Sequence, residues 1–141
     1  MSDPLYRKEL LRLAADAHGA GRLEGPHVTG LAHNPACGDK VTVDLELAGG
    51  RIAKIAHDTK ACVLAQASAS ILGQALEGKT RNDIAMLRDT LTAMLVSHGA
   101  APSPPFDAYT VFDGTIEFPS RHRCVLLPVE AVLAAFDAAG G

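Results

Sequence analysis

The clearest pattern in the chain is an alternation that begins at Lys40. Val41, Val43, Leu45 and Leu47 are apolar, and Thr42, Asp44 and Glu46 between them are polar. That is the period of a strand with one buried face. Ala48-Gly49-Gly50 supplies a turn, and Arg51-Ile52-Ala53-Lys54-Ile55-Ala56-His57 reads as the returning strand. A further strand fits around His27 to Ala32, before Cys37. Elsewhere the period lengthens. Ser2-Asp3-Pro4 reads as a helix start, followed by apolar positions Leu5, Leu10, Leu11, Leu13, Ala14 and Ala17 up to Gly19. Residues 19–30 hold four glycines and a proline and read as a loop. From Val63 to Leu76 nearly every residue is apolar or small, which predicts a largely buried helix ending near Gly78. Thr80 to His98 predicts a more amphipathic helix capped by Thr80 or Asn82. Gly99 to Pro105 reads as a loop, and Tyr109 to Phe118 fits neither period. Val125 to Ala139 predicts a closing helix, provided Pro128 falls in its first turn.

Composition narrows the class. A chain of 141 residues with no internal repeat and no evident linker is expected to form one domain over residues 1–141, with a real hydrophobic core. A net charge of -3 and the absence of Trp argue against a nucleic-acid partner. No signal-peptide pattern and no apolar run of membrane-spanning length are visible, so the expected location is cytoplasmic, without a membrane. Thiols stay reduced there, and the 3 cysteines suit a disulfide framework poorly.

Those cysteines carry the candidate chemistry. They stand in Pro35-Ala36-Cys37-Gly38-Asp39, Lys60-Ala61-Cys62 and Arg121-His122-Arg123-Cys124. Gly38 lets the backbone bend so that the Cys37 thiolate and the Asp39 carboxylate can converge on one ion. The plainer alternative is a small buried cysteine beside a turn-forming aspartate. Cys62 falls where the returning strand gives way to a helix, whose N-terminus favours an anion by about 0.3–1 kcal/mol. Lys60 adds positive charge. Cys124 repeats that pattern behind Arg121, His122 and Arg123. Both also read as ordinary core cysteines. Three thiolates and a carboxylate suit a tetrahedral zinc or one edge of an iron–sulfur cluster. With no Cys-x-x-Cys knuckle, such a site must be assembled from distant segments. His33, His57 and His122 are further candidate ligands by sequence proximity, whereas His18, His27 and His98 read as surface or loop histidines. No phosphate-binding loop, His-Glu-x-x-His or Gly-x-Ser-x-Gly motif is present.

From Leu5 to Phe136 the chain resembles the cluster-assembly scaffolds of the IscU, NifU and SufU type. Asn34-Pro35-Ala36-Cys37-Gly38-Asp39 is similar to their first cysteine motif. Cys62-Val63-Leu64-Ala65-Gln66-Ala67-Ser68-Ala69-Ser70 is similar to the second, and Phe118-Pro119-Ser120-Arg121-His122-Arg123-Cys124 to the third. The long segment between Cys62 and Cys124 resembles the insertion of the SufU branch, as do Arg123 directly before the third cysteine and Arg121 two residues earlier. His122 is displaced by one position from the ligand histidine of IscU-type scaffolds, and their Leu-Pro-Pro-Val-Lys chaperone segment is absent. Lys60-Ala61-Cys62 departs from the family, which usually has glycine before that cysteine. The resemblance implies an α+β, two-layer fold with a small three-stranded antiparallel sheet and helices packed on one face. It implies a zinc ion held by Cys37, Asp39, Cys62 and Cys124, with Arg121 and Arg123 auxiliary. Persulfide sulfur would pass from a SufS-type cysteine desulfurase to Cys37 and on to downstream cluster-assembly proteins. The alternatives are a scaffold carrying a [2Fe–2S] cluster and a structural zinc module.

Overall fold

The computed structural model describes residues 7–35 and 38–140. Its elements are α1 (Lys8–Asp16), β1 (Val28–Asn34), β2 (Asp39–Ala48), β3 (Arg51–Lys60), α2 (Val63–Ala75) and α3 (Arg81–Ser97), then a 3-10 segment (Asp107–Thr115), a short 3-10 turn (Pro119–Arg121) and α4 (His122–Ala138). The Ser2-Asp3-Pro4 helix start lies outside the described residues.

The alternation from Lys40 becomes β2, the central strand of a three-stranded antiparallel sheet ordered β1-β2-β3. Val41, Val43 and Leu45 are at most 1% exposed and face the helices. β1 pairs Asn34 with Asp39 and Gly30 with Val43. β3 pairs Lys60 with Lys40 and Ile55 with Leu45, with one register shift at Glu46/Leu47. The predicted third strand is therefore β1, and the returning strand runs three residues beyond His57. α2 and α4 pack on the sheet and on each other, α1 lies against α2, and α3 lies against α4. This is the expected α+β arrangement. β1 approaches α4 backbone to backbone at Gly30, where a Cβ would overlap the Ala131 carbonyl oxygen and the Ala135 nitrogen.

The opposite face of the sheet is partly covered as well. The α1–β1 connection folds over β2, and Asp44, which the alternation assigns to the polar side, is fully buried beneath it. Arg22 grips both carboxylate oxygens at 2.6 and 3.0 Å, Thr29 donates at 2.8 Å and the Leu23 N–H at 3.1 Å. Burial alone raises a carboxylate's pKa. Here the bonds from Arg22, Thr29 and Leu23 and the Arg22 charge outweigh it and lower Asp44 to about 2.

The helices form largely where periodicity placed them. Thr80 caps α3 through a reciprocal capping box with Asp83, a device that contributes about 0.5–2 kcal/mol. α4 differs from expectation, because it begins at His122 and Pro128 is its seventh residue. Burial outweighs the cost of a proline inside a helix here. Ten residues of α4, Pro128 among them, are buried, and most helical stability comes from such packing. The stretch from Tyr109, which matched neither period, is a 3-10 segment that delivers Tyr109 and Phe112 to the core at 0% exposure.

Candidate metal centre

Asp39, Cys62 and Cys124 come from three elements and meet at one end of the sheet. Asp39 opens β2 opposite Asn34. It follows Gly38, whose φ of +74° is a left-handed turn conformation suited to glycine, and whose N–H donates to the Asn34 carbonyl at 2.9 Å. Because Lys40 pairs with Lys60, β3 delivers the chain to the same end of the sheet two residues before Cys62. Cys62 is the N-cap of α2, in extended backbone with φ -64° and ψ 167°. Its carbonyl accepts the Gln66 N–H at 3.0 Å, and the Gln66 side chain donates to the Ala61 carbonyl at 3.1 Å, tying down the segment that carries the cysteine. Cys124 is the third residue of α4. Both cysteines therefore sit at the N-terminal ends of helices.

One ligand atom from each of the three residues lies within 4.8 Å of the other two. Cys124 Sγ is 3.8 Å from Asp39 Oδ2. Around a tetrahedral zinc with bonds of about 2.3 Å to sulfur and 2.1 Å to oxygen, donor atoms stand about 3.6–3.8 Å apart. The three groups reach that spacing by shifts of about 1 Å or less. Asp39 is 8% exposed, Cys124 is 2% exposed and Cys62 is half-buried, so the cluster is shielded yet open on the Cys62 side. Cys37 lies outside the described residues, two positions before Asp39 in sequence.

The histidines do not join this group. His57 is buried and donates Nε2–H to the His18 carbonyl at 2.8 Å, while its Nδ1 takes the Thr59 hydroxyl at 2.8 Å. Burial, only partly offset by the His18 bond and by Asp58, lowers its pKa. His122 donates to the Ile116 carbonyl at 3.1 Å, and His33 is exposed on β1. Arg123 is drawn along α4, with Nη2 3.5 Å from Glu130 Oε2. Arg121 is half-buried and makes no side-chain hydrogen bond or ion pair with the described residues.

One group near the cysteines escaped sequence reasoning. Ser68 of α2 and Tyr109 of the 3-10 segment are hydrogen-bonded in the core beside α4. Serine in an Ala/Ser-rich helix carries no sequence signal for such a bond. An aromatic stretch without clear period was the only hint of Tyr109.

Known proteins resemble the chain in sequence and fold. The family described as "NifU-like N terminal domain" matches residues 5–117, a span that includes Cys37, Asp39 and Cys62 and stops short of Cys124. The zinc-dependent sulfurtransferase SufU of Bacillus subtilis is 25% identical over 130 residues, covering 92% of this chain and 88% of that protein. The iron–sulfur cluster assembly scaffold protein IscU of Streptococcus pyogenes is 26% identical over 118 residues, covering 84% and 74%. The crystal structure of the N-terminal part of a nitrogen-fixing NifU-like protein from Brucella abortus superposes with a TM-score of 0.92 at 31% identity, covering 98% of this chain and 96% of that one.

Proposed function

The chain belongs to the NifU-like N terminal domain family, among relatives that include a zinc-dependent sulfurtransferase and an iron–sulfur cluster assembly scaffold, and from that premise we propose that it relays persulfide sulfur in iron–sulfur cluster assembly. Cys37, Asp39, Cys62 and Cys124 would hold a zinc ion in this reading. The observation that carries it is the convergence of Asp39, Cys62 and Cys124 within 4.8 Å from three separate elements. The donor set fits the metal, since thiolates and carboxylates both ligate zinc. When bound, zinc would keep the ligating thiols deprotonated at neutral pH.

The chain's own residues divide the remaining work. Cys124, at 2% exposure, is out of reach of a partner's active-site loop. Cys37 is the proposed acceptor, flanked in the described chain by exposed Pro35 and Gly38. Its thiolate attacks the outer sulfur of the donor's cysteine persulfide. The donor's S–S bond breaks, the donor cysteine leaves as thiolate, and the sulfur with its proton stays on Cys37 as a new persulfide. Asp39 is the weaker, harder donor, suited to exchange while Cys37 is away from the site. The partner would be a cysteine desulfurase of the SufS type, and downstream cluster-assembly proteins would take the sulfur.

A second reading rests on the similarity to the IscU scaffold: the same donors would hold a [2Fe–2S] cluster as cargo. Purified protein, assayed for metal and added to a desulfurase, separates the readings. About one zinc per chain with faster cysteine turnover supports the relay. A coloured, iron-containing protein supports the scaffold. Zinc without stimulation refutes the relay in favour of a structural module.

A further inference from the structure

We propose that Ser68 and Tyr109 are a positioning pair that sets the separation of Cys62 and Cys124 and thereby the metal affinity of the site; the inference rests on the metal-binding reading above. Ser68 lies on α2, six residues after Cys62 and therefore about 9 Å along the helix. Its hydroxyl donates to the carbonyl of Val125 at 2.7 Å, and Val125 is the residue directly after Cys124. The same Oγ lies 2.8 Å from the Tyr109 hydroxyl, which also lies 3.3 Å from the Ser68 carbonyl. Ser68, Tyr109 and Val125 are each at 0% exposure. The bond thus joins the helix that begins at one cysteine to the first turn of the helix that carries another.

α2 and α4 also meet through apolar core side chains, and such packing is non-directional and tolerates sliding. A hydrogen bond confined to about 2.7 Å and a narrow angle does not. In a formed metal site the donor distances hold within about 0.2 Å, so a directional tie one residue from Cys124 is placed to limit how far that donor must move. Tyr109 adds the third point. It reaches the network from the 3-10 segment, and its ring packs tilted against Phe112 with centroids 5.6 Å apart. Pro128 supplies no N–H to the α4 ladder near this tie, which leaves the first turns of α4 more dependent on tertiary bonds. The long segment between the second and third cysteines, in this account, is a brace for the site rather than a surface decoration.

The test compares the full chain with Tyr109→Phe, Ser68→Ala and, as a control, Leu91→Ala. Leu91 is a buried residue of α3, which carries none of the three clustered ligands. Zinc affinity is read by competition with a chromogenic chelator, ligand geometry by the absorption bands of the cobalt(II)-loaded protein, and stability by urea unfolding of the zinc-free chain. Outer partners of metal ligands typically change affinity about 10–100-fold. Ser68→Ala, which breaks both bonds, is expected to weaken zinc binding about 10-fold or more. Tyr109→Phe keeps the Ser68–Val125 bond and should weaken it less, by about 3-fold, and both should alter the cobalt bands. Leu91→Ala should lose stability yet keep zinc affinity and cobalt bands. Wild-type affinity and bands in both network variants overturn the proposal, and so does a loss no greater than that of Leu91→Ala at equal stability. If Ser68→Ala does not fold, Tyr109→Phe decides. The metal reading fails separately: Cys62→Ser and Cys124→Ser proteins that bind zinc like wild type refute it whatever the network variants do.

Discussion

Gly30→Ala is the sharpest test of how the sheet holds the helix that carries Cys124. A methyl group at Gly30 would overlap the Ala131 carbonyl oxygen and the Ala135 nitrogen and lie 2.8 Å from the Ala134 carbonyl carbon, all backbone atoms of α4. Backbone cannot swing aside as a flexible side chain can, so α4 must withdraw from β1 by about 1 Å to restore ordinary contact. Overpacking of this kind costs about 1–3 kcal/mol. A gap of 0.5–1 Å also forfeits about a quarter to a half of the affected dispersion contacts. Val125, Leu127, Val129, Val132 and Phe136 all face the core from α4, so the cost should lie near the top of that range, at about 3 kcal/mol. The same withdrawal widens the 3.8 Å separation of Cys124 Sγ from Asp39 Oδ2, since Asp39 belongs to the sheet. If the site holds zinc as proposed, its affinity should fall as well. The assays are urea unfolding of the zinc-free protein and chelator competition. Leu31→Ala is the control: Leu31 is the next residue of β1, on the other face and 52% exposed, and should change stability by no more than about 0.5 kcal/mol. A Gly30→Ala protein as stable as the control would refute direct backbone packing of α4 on β1.

Other consequences are open to simpler experiments. Asp44, lowered from 3.8 to about 2 in the folded chain, should contribute about 2 kcal/mol above pH 4. Because the folded value is the lower one, that contribution is lost as pH falls from about 4 through 2. The stability gap between wild type and Asp44→Asn should be widest at neutral pH and close near pH 2, and a constant gap would contradict the assignment. His57 also loses stability on acidification, but from its ordinary value of 6.5 downward and in both proteins, so it cancels in the difference. The Thr115 hydroxyl is buried with no hydrogen-bond partner among the described residues. Thr115→Val should therefore raise urea stability, by about 1 kcal/mol, and a loss of that size would reveal a partner for the hydroxyl. Thr80→Ala removes the capping hydroxyl of α3 and should cost about 1 kcal/mol of urea stability; an unchanged midpoint would show that the box contributes nothing.

Much of the fold was legible because it depends on neighbours in sequence. The period-two run of β2, the Gly49-Gly50 turn, the Thr80 cap and the apolar α2 are local patterns, and each appears within a few residues of its expected place. Gly30 counted in the sequence only as one of the glycines of the 19–30 stretch, and the structure alone shows it as the point where α4 approaches β1. The beginning of α4 was misjudged because proline's local penalty was weighed without the ten buried residues that offset it. The 3-10 segment gave no period because its side chains serve the core individually.

The sequence by itself determined the chemistry on offer: three thiols, an aspartate beside a turn glycine, helix starts at two of the cysteines, and a hairpin between the first and second. Tertiary structure alone decided which of these meet. Asp39 and Cys62 are brought to one end of the sheet by the Lys40–Lys60 register, a property of pairing and not of either segment. Cys124 joins them because α4 lies back across β1 and β2, over a glycine that lets it. His57 and His122, near in sequence, are turned away by the carbonyls of His18 and Ile116. Residue type follows from the sequence directly, whereas proximity between residues 39, 62 and 124 exists only after hydrophobic burial has chosen one way of stacking the helices on the sheet.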